Sequence, residues 1–111
     1  MQDCIFCKIS RDEIESQKLF ENELLYVIKD IAPKAPVHLL IIPKTHIASI
    51  NDLSVSQQSL IGELVLQAKE QATKFGIAQS GYKLIWNVGA DGGQVVPHIH
   101  LHLLGGKKLK E

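Results

Sequence analysis

His98-Ile99-His100-Leu101-His102-Leu103-Leu104 is the stretch from which the rest of the chain can be read. Side chains on a strand alternate between its faces. A strand over 98–104 therefore puts His98, His100 and His102 on one face, each about 6.5–7 Å from the next, with Ile99, Leu101 and Leu103 on the other. The apolar face predicts a core and the imidazole face predicts a site. Three of the five histidines fall in this one stretch. Each buried imidazole needs a hydrogen-bond partner, so packing alone does not select three in register. Two chemistries suit the cluster. Strand histidines can chelate zinc. Alternatively, a neutral imidazole can attack phosphorus through one nitrogen while a partner holds the proton on the other, with neighbouring imidazoles stabilising charge on the phosphate oxygens.

Working outward, Gly105-Gly106 ends this strand, and the loop Gly89-Ala90-Asp91-Gly92-Gly93 separates it from an expected strand over Tyr82–Asn87. Ser54 with Gln57 reads as a capping box. From there Ile61, Leu64, Val65, Ala68, Ala72 and Phe75 recur at helical spacing until Gly76 stops the helix. Val37–Ile42, bracketed by Pro36 and Pro43, reads as a buried strand, and Leu19–Glu21 and Leu24–Lys29 as two short ones. Residues 4–9 read as a helical turn or coil. The expectation is one α+β domain over residues 1–111 with a mostly antiparallel sheet.

Composition narrows the partners. The chain has 111 residues, 45% hydrophobic, with 12 Lys+Arg against 12 Asp+Glu. A zero net charge argues against broad nucleic-acid binding, which needs many phosphate-neutralising cations. The basic tail Lys107-Lys108-Leu109-Lys110-Glu111 reads as solvated. No apolar run approaches membrane-spanning length, and Met1-Gln2-Asp3-Cys4 opens without an export leader, so the expected location is cytoplasmic, away from membranes. Cys4 and Cys7 are too close in sequence for a useful structural disulfide. In a reducing compartment that pair suggests metal or redox chemistry, or simply two buried small apolar side chains.

The histidine stretch also resembles the histidine-triad (HIT) pattern, His-φ-His-φ-His-φ-φ with φ apolar. The likeness extends to Cys4-Ile5-Phe6-Cys7-Lys8-Ile9, to Asp30-Ile31-Ala32-Pro33-Lys34-Ala35-Pro36-Val37-His38, to Ile42-Pro43-Lys44-Thr45-His46, and to Asn87-Val88-Gly89 with Gly92-Gly93-Gln94. It points to the Hint-like branch, the purine nucleoside phosphoramidases. The resemblance implies a HIT-like fold: a mostly antiparallel five-stranded sheet, one long helix, one short N-terminal helix, and a homodimer with a continuous sheet.

By that resemblance, His100 attacks the α-phosphate of a purine nucleoside phosphoramidate or an acyl- or aminoacyl-adenylate. A nucleotidyl-histidine forms, and water releases a nucleoside monophosphate such as AMP. His102 contacts phosphate oxygens, His98 is the first member of the triad, and His38 completes a hydrogen-bond chain. Asp30 takes the ribose hydroxyls. Phe6, Ile9, Ile28 and Ile31 form a slot for the base. Asn87, Gly93, Gln94 and Val95 line the phosphate and leaving-group side. Cys4, Cys7, His46 and His98 resemble a structural zinc site, with no metal required for chemistry.

Without the resemblance, His38 is equally a core histidine, Asp30 a turn residue and Asp91-Gly92-Gly93 a turn signal. The chain departs from the branch where Val95 replaces a polar residue, where Pro97 replaces an aromatic one, and in its short tail. Val95 leaves open a second reading, a nucleotide-binding interaction protein with weak or incidental hydrolase activity. A third is a catalytic zinc hydrolase that uses all three triad histidines.

Overall fold

A computed structural model describes residues 4–111. Met1–Asp3, part of the segment read as lacking an export leader, lie outside them. Five strands make one antiparallel sheet: β1 Phe20–Glu21, β2 Leu25–Lys29, β3 Val37–Pro43, β4 Tyr82–Trp86 and β5 Leu101–Gly105. Their spatial order is β1-β2-β3-β5-β4. Two α-helices accompany the sheet, α1 Ile5–Ser10 and α2 Gln58–Lys74. This is the expected α+β class with one long and one short helix. Among the described residues, no helix is long and apolar enough to cross a membrane.

The strand period of two sorts the core onto two faces. Leu25, Val27, Leu39, Ile41, Leu101 and Leu103 point toward α2, where Leu64, Ala68 and Ala72 meet them. The two alanines let the helix backbone approach the sheet closely. On the other face, Tyr26, Ile28, Leu40 and Ile42 pack with Cys4, Phe6, Cys7 and Ile9 of the α1 segment. The Tyr26 hydroxyl donates to the Phe6 carbonyl at 2.6 Å and ties α1 to β2. Because α1 is only six residues long, it covers part of this face. The histidines take the rest.

The register decides which side chains meet there. Leu40 of β3, His102 of β5 and Ile85 of β4 form one cross-sheet row, and His38, Leu104 and Lys83 form the next. Paired residues share a face, so His38 and His102 lie diagonally adjacent.

Several expected boundaries move. The capping box at Ser54 and Gln57 is present, but it opens a 3₁₀ turn over Val55–Gln57, and the α-helix begins at Gln58. Val65, assigned to the apolar face of the helix, is 38% exposed, and Gln71 is buried in the row instead. Asn87 falls just beyond β4, and β1 starts at Phe20. The largest shift concerns the last strand, which starts at Leu101 and not at His98. The amides of residues 98 and 99 spend their hydrogen bonds elsewhere. The His98 amide bonds the Val96 carbonyl at 2.8 Å, and the Ile99 amide bonds the Ile47 carbonyl at 2.8 Å. In this irregular entry His98 lies beside the cysteines of the α1 segment, with Phe6 packed between it and His100.

Candidate active site and metal cluster

The three triad imidazoles enter two separate networks. His98 is fully buried. Its Nε2–H donates to the Pro43 carbonyl at 2.8 Å, which leaves Nδ1 as a lone-pair donor. That Nδ1 lies 3.2 Å from the Cys4 sulfur, 3.6 Å from the Cys7 sulfur and 3.1 Å from His46 Nδ1. The Cys7 sulfur lies 3.3 Å from His46 Nδ1. All four ligand atoms fall within 4.8 Å of one another. Tetrahedral zinc with Zn–N and Zn–S bonds near 2.0 and 2.3 Å has ligand–ligand edges of about 3.3–3.8 Å. The donor set and spacing therefore fit a divalent, thiophilic cation. Burial and the neighbouring Cys4 push the Cys7 thiol up, and without a cation the two thiols are left to hydrogen-bond the His98 Nδ1 lone pair. A carbonyl on one ring nitrogen, as Pro43 provides at His98 Nε2, orients an imidazole whose other nitrogen would hold a metal.

His100 sits at the other network's edge. Its Nδ1–H donates to the His98 carbonyl at 2.8 Å. A carbonyl can only accept, so the proton is on Nδ1 and the Nε2 lone pair is free. The ring packs edge-on against Phe6, with centroids 5.0 Å apart, and against His102 at the same separation. Desolvation lowers the His100 pKa below its ordinary 6.5, so the ring is neutral at pH 7.

His102 and His38 form a relay. The Lys34 amide donates to His38 Nδ1 at 3.1 Å, so the proton of neutral His38 sits on Nε2. That Nε2 is 2.9 Å from His102 Nδ1 and 3.4 Å from an Asp30 carboxylate oxygen. His102 Nδ1 accepts, which places the His102 proton on Nε2. Burial, with His100 and His38 alongside, pushes His102 down to about 4. Burial also lowers His38. The imidazoles beside His100 are thus neutral donors and acceptors.

The remaining candidates divide. Phe6 and Ile9 of α1 are buried in one cluster with Ile28 of β2, whereas Ile31 stands fully exposed beyond the end of β2. One Asp30 oxygen accepts the Ala32 amide at 2.8 Å, while the other faces His38. Asn87 donates to the Gly92 carbonyl at 2.8 Å. Gln94 accepts the Gly89 amide at 2.9 Å and donates to the carbonyls of Ala48 and Val96. These two side chains shape the glycine loop from within. Gly92 is required there, because a Cβ would overlap the Val88 carbonyl. Gly93 holds φ +80°. Val95 projects outward, 89% exposed.

The groups that set the tautomers are backbone atoms: the Lys34 amide and the carbonyls of Pro43 and His98. Residue type carries no signal for them, so sequence reading passes over them. The catalytic zinc reading needs all three triad histidines at one cation. Among the described residues, the potential metal clusters are Cys4/Cys7/His46/His98 and Asp30/His38/His102, and neither contains all three.

A sheet with a neutral histidine relay on one half-covered face, beside a Cys₂His₂ cluster, defines a small α+β protein with a histidine-rich candidate site. The HIT domain profile matches residues 11–109. The purine nucleoside phosphoramidase of Escherichia coli K12 is 44% identical over 108 residues, covering 97% of this chain and 91% of the relative. A HIT family hydrolase from Legionella pneumophila superposes with a TM-score of 0.96 at 46% identity, over 97% of this chain and 96% of the other. A zinc-bound histidine triad family protein from Mycobacterium smegmatis has a TM-score of 0.81 at 28% identity, over 96% of this chain and 76% of the other. The chain belongs to the HIT family.

Proposed function

We propose that this HIT-family enzyme hydrolyses purine nucleoside phosphoramidates, or related acyl- or aminoacyl-adenylates, through a nucleotidyl-His100 intermediate. One observation carries the reading. The His98 carbonyl takes the Nδ1 proton of His100, so a neutral imidazole keeps an Nε2 lone pair at neutral pH. The step forms an Nε2–P bond as the P–N bond of a phosphoramidate breaks, the departing nitrogen taking a proton from solvent, or as the P–O bond of an adenylate breaks, the carboxylate leaving as its anion. Water then attacks phosphorus, releases the nucleoside monophosphate and restores the Nε2 lone pair. His102 donates Nε2–H to a phosphate oxygen, and His38 holds that tautomer. The Phe6, Ile9 and Ile28 cluster with Ile31 takes the base, Asp30 the ribose hydroxyls, and the Asn87–Val95 loop, with Gly93 and Gln94, the phosphate side. The E. coli relative's name supports the substrate class.

We also propose a structural zinc on Cys4, Cys7, His46 and His98. It supplies cross-linking of α1 to the triad segment and takes no part in the chemistry. A homodimer through β4, paired on only one of its edges and presenting Leu84 at 37% exposure, fits the same reading. So does a reducing cytoplasmic location, supported by two free thiols.

The test is to mix enzyme with adenosine 5′-phosphoramidate, quench during turnover and map the adduct by mass spectrometry. An adenylyl group on His100 is expected. Turnover with no histidine adduct under rapid quench overturns the covalent route. Calorimetry with AMP and 2′-deoxy-AMP checks Asp30: the deoxy form should bind more weakly by about 1–3 kcal/mol, the cost of a lost buried partner. Light scattering should give twice the 12.3 kDa chain mass.

A further inference from the structure

The chain is neutral as a whole, yet its cations are not spread evenly. Lys34, Lys83, Lys107, Lys108 and Lys110 line one groove of about 330 Å³, and no acidic side chain lines it. Among the described residues the ion pairs involve Arg11, Lys18, Lys44 and His38, so none of these five lysines has a carboxylate within 4.0 Å. The tail that carries three of them is folded back onto the sheet, where Lys83 Nζ donates to the Lys110 carbonyl. Like charges gathered without counterions cost free energy that an anion would recover.

The groove also adjoins the histidines. Its floor includes Ile85 and Leu104. Ile85 pairs with His102, and Leu104 pairs with His38 on one side and Lys83 on the other. Neighbouring strands are about 4.8 Å apart, so the groove begins one strand beyond His102. Lys34 is near enough to His38 and His102 to lower both imidazole pKa values.

The proposed substrate arrangement gives this position meaning. The base and ribose lie over α1 and β2, and the α-phosphate lies at His100 and His102 by β5. Beyond β5 comes β4, and over β4 lies the lysine groove. We infer that the lysine groove is a leaving-group subsite selecting nucleoside phosphoramidates whose departing amine carries an anionic group, either carboxylate or phosphoryl. The inference rests on the phosphoramidase reading and adds the charge class of the amine.

Three N-linked adenosine 5′-phosphoramidates test it: those of aspartate, of phosphoethanolamine, and of asparaginamide, which carries no anion. At low salt, kcat/KM for the two anionic compounds should exceed that for asparaginamide by about 10-fold or more, with whichever of the two is faster identifying the preferred anion. In 0.5 M KCl the ratio should shrink toward one through screening. It should shrink likewise in the triple variant Lys83→Gln/Lys107→Gln/Lys108→Gln. Equal kcat/KM for charged and neutral compounds overturns the subsite, as does an anionic preference that survives in the triple variant. A wild-type enzyme that cleaves none of the three overturns the underlying phosphoramidase reading instead.

Discussion

His38 Nε2 lies 2.9 Å from His102 Nδ1, and the proton between them belongs to His38, because the Lys34 amide already occupies its other ring nitrogen. A main-chain group four residues away in sequence thereby fixes which nitrogen of His102 can face a phosphate. Replacing His38 with Ala removes the donor and frees His102 to carry its proton on Nδ1. Turnover of adenosine 5′-phosphoramidate should fall about 10-fold, the scale of one lost buried hydrogen bond. AMP affinity by calorimetry should stay within about threefold. Unchanged turnover would remove His38 from the relay.

The nucleophile should be far more sensitive. His100→Gly leaves the fold and the nucleotide pocket in place but removes the attacking lone pair. Single-turnover rates should drop by several orders of magnitude, on the scale seen when a nucleophile is deleted, while AMP still binds. A small drop would mean that another group attacks phosphorus.

Acid should destabilise the protein in a defined window. His102 titrates near 4 when folded and at an ordinary 6.5 when unfolded, and His38 is also lowered. Between those values the unfolded chain binds more protons, so stability declines as pH falls from about 6.5 toward 4. Thermal melts across that range should show wild type losing stability more steeply than His102→Asn. Parallel curves would contradict the assignment.

The metal cluster makes a separable prediction. Carefully purified protein should contain about one zinc per chain, by the four-ligand count. Cys4→Ser with Cys7→Ser should abolish binding and lower Tm by about 10 °C or more, since metal binding here is folding free energy. Turnover per folded molecule should fall much less than in His100→Gly. A chelated protein that stays folded yet loses all turnover would give the metal a chemical role.

The alternation of His and apolar residues over 98–104 was enough to place a core on one side and an imidazole face on the other, and α2 could be placed from its spacing and capping box. What the alternation could not reveal was that Val96 and Ile47 capture the amides of His98 and Ile99 and hold this segment out of the ladder. Three histidines that look equivalent in sequence therefore divide between a sulfur-rich cluster and a relay. Asn87 and Gln94 show the same limit: their types suggest ligand contacts, but loop carbonyls and an amide take up their hydrogen bonds. The grouping of Lys34 and Lys83 with the tail depends on a chain reversal that no local pattern encodes.

β5 carries leucines toward α2 and His102 toward the relay within five residues. Deleting or inserting one residue between His98 and Leu101 would leave Leu101, His102 and Leu103 in their ladder and shift His98 and His100 relative to them, so the sulfur cluster and the relay could no longer both be filled. This short segment can therefore change in composition but not in length, and its hydrophobic and imidazole-bearing faces cannot be inherited separately. Lineages of this fold should accommodate insertions at Arg11–Lys18 or at the tail, while the number of residues from His98 to Gly105 stays constant.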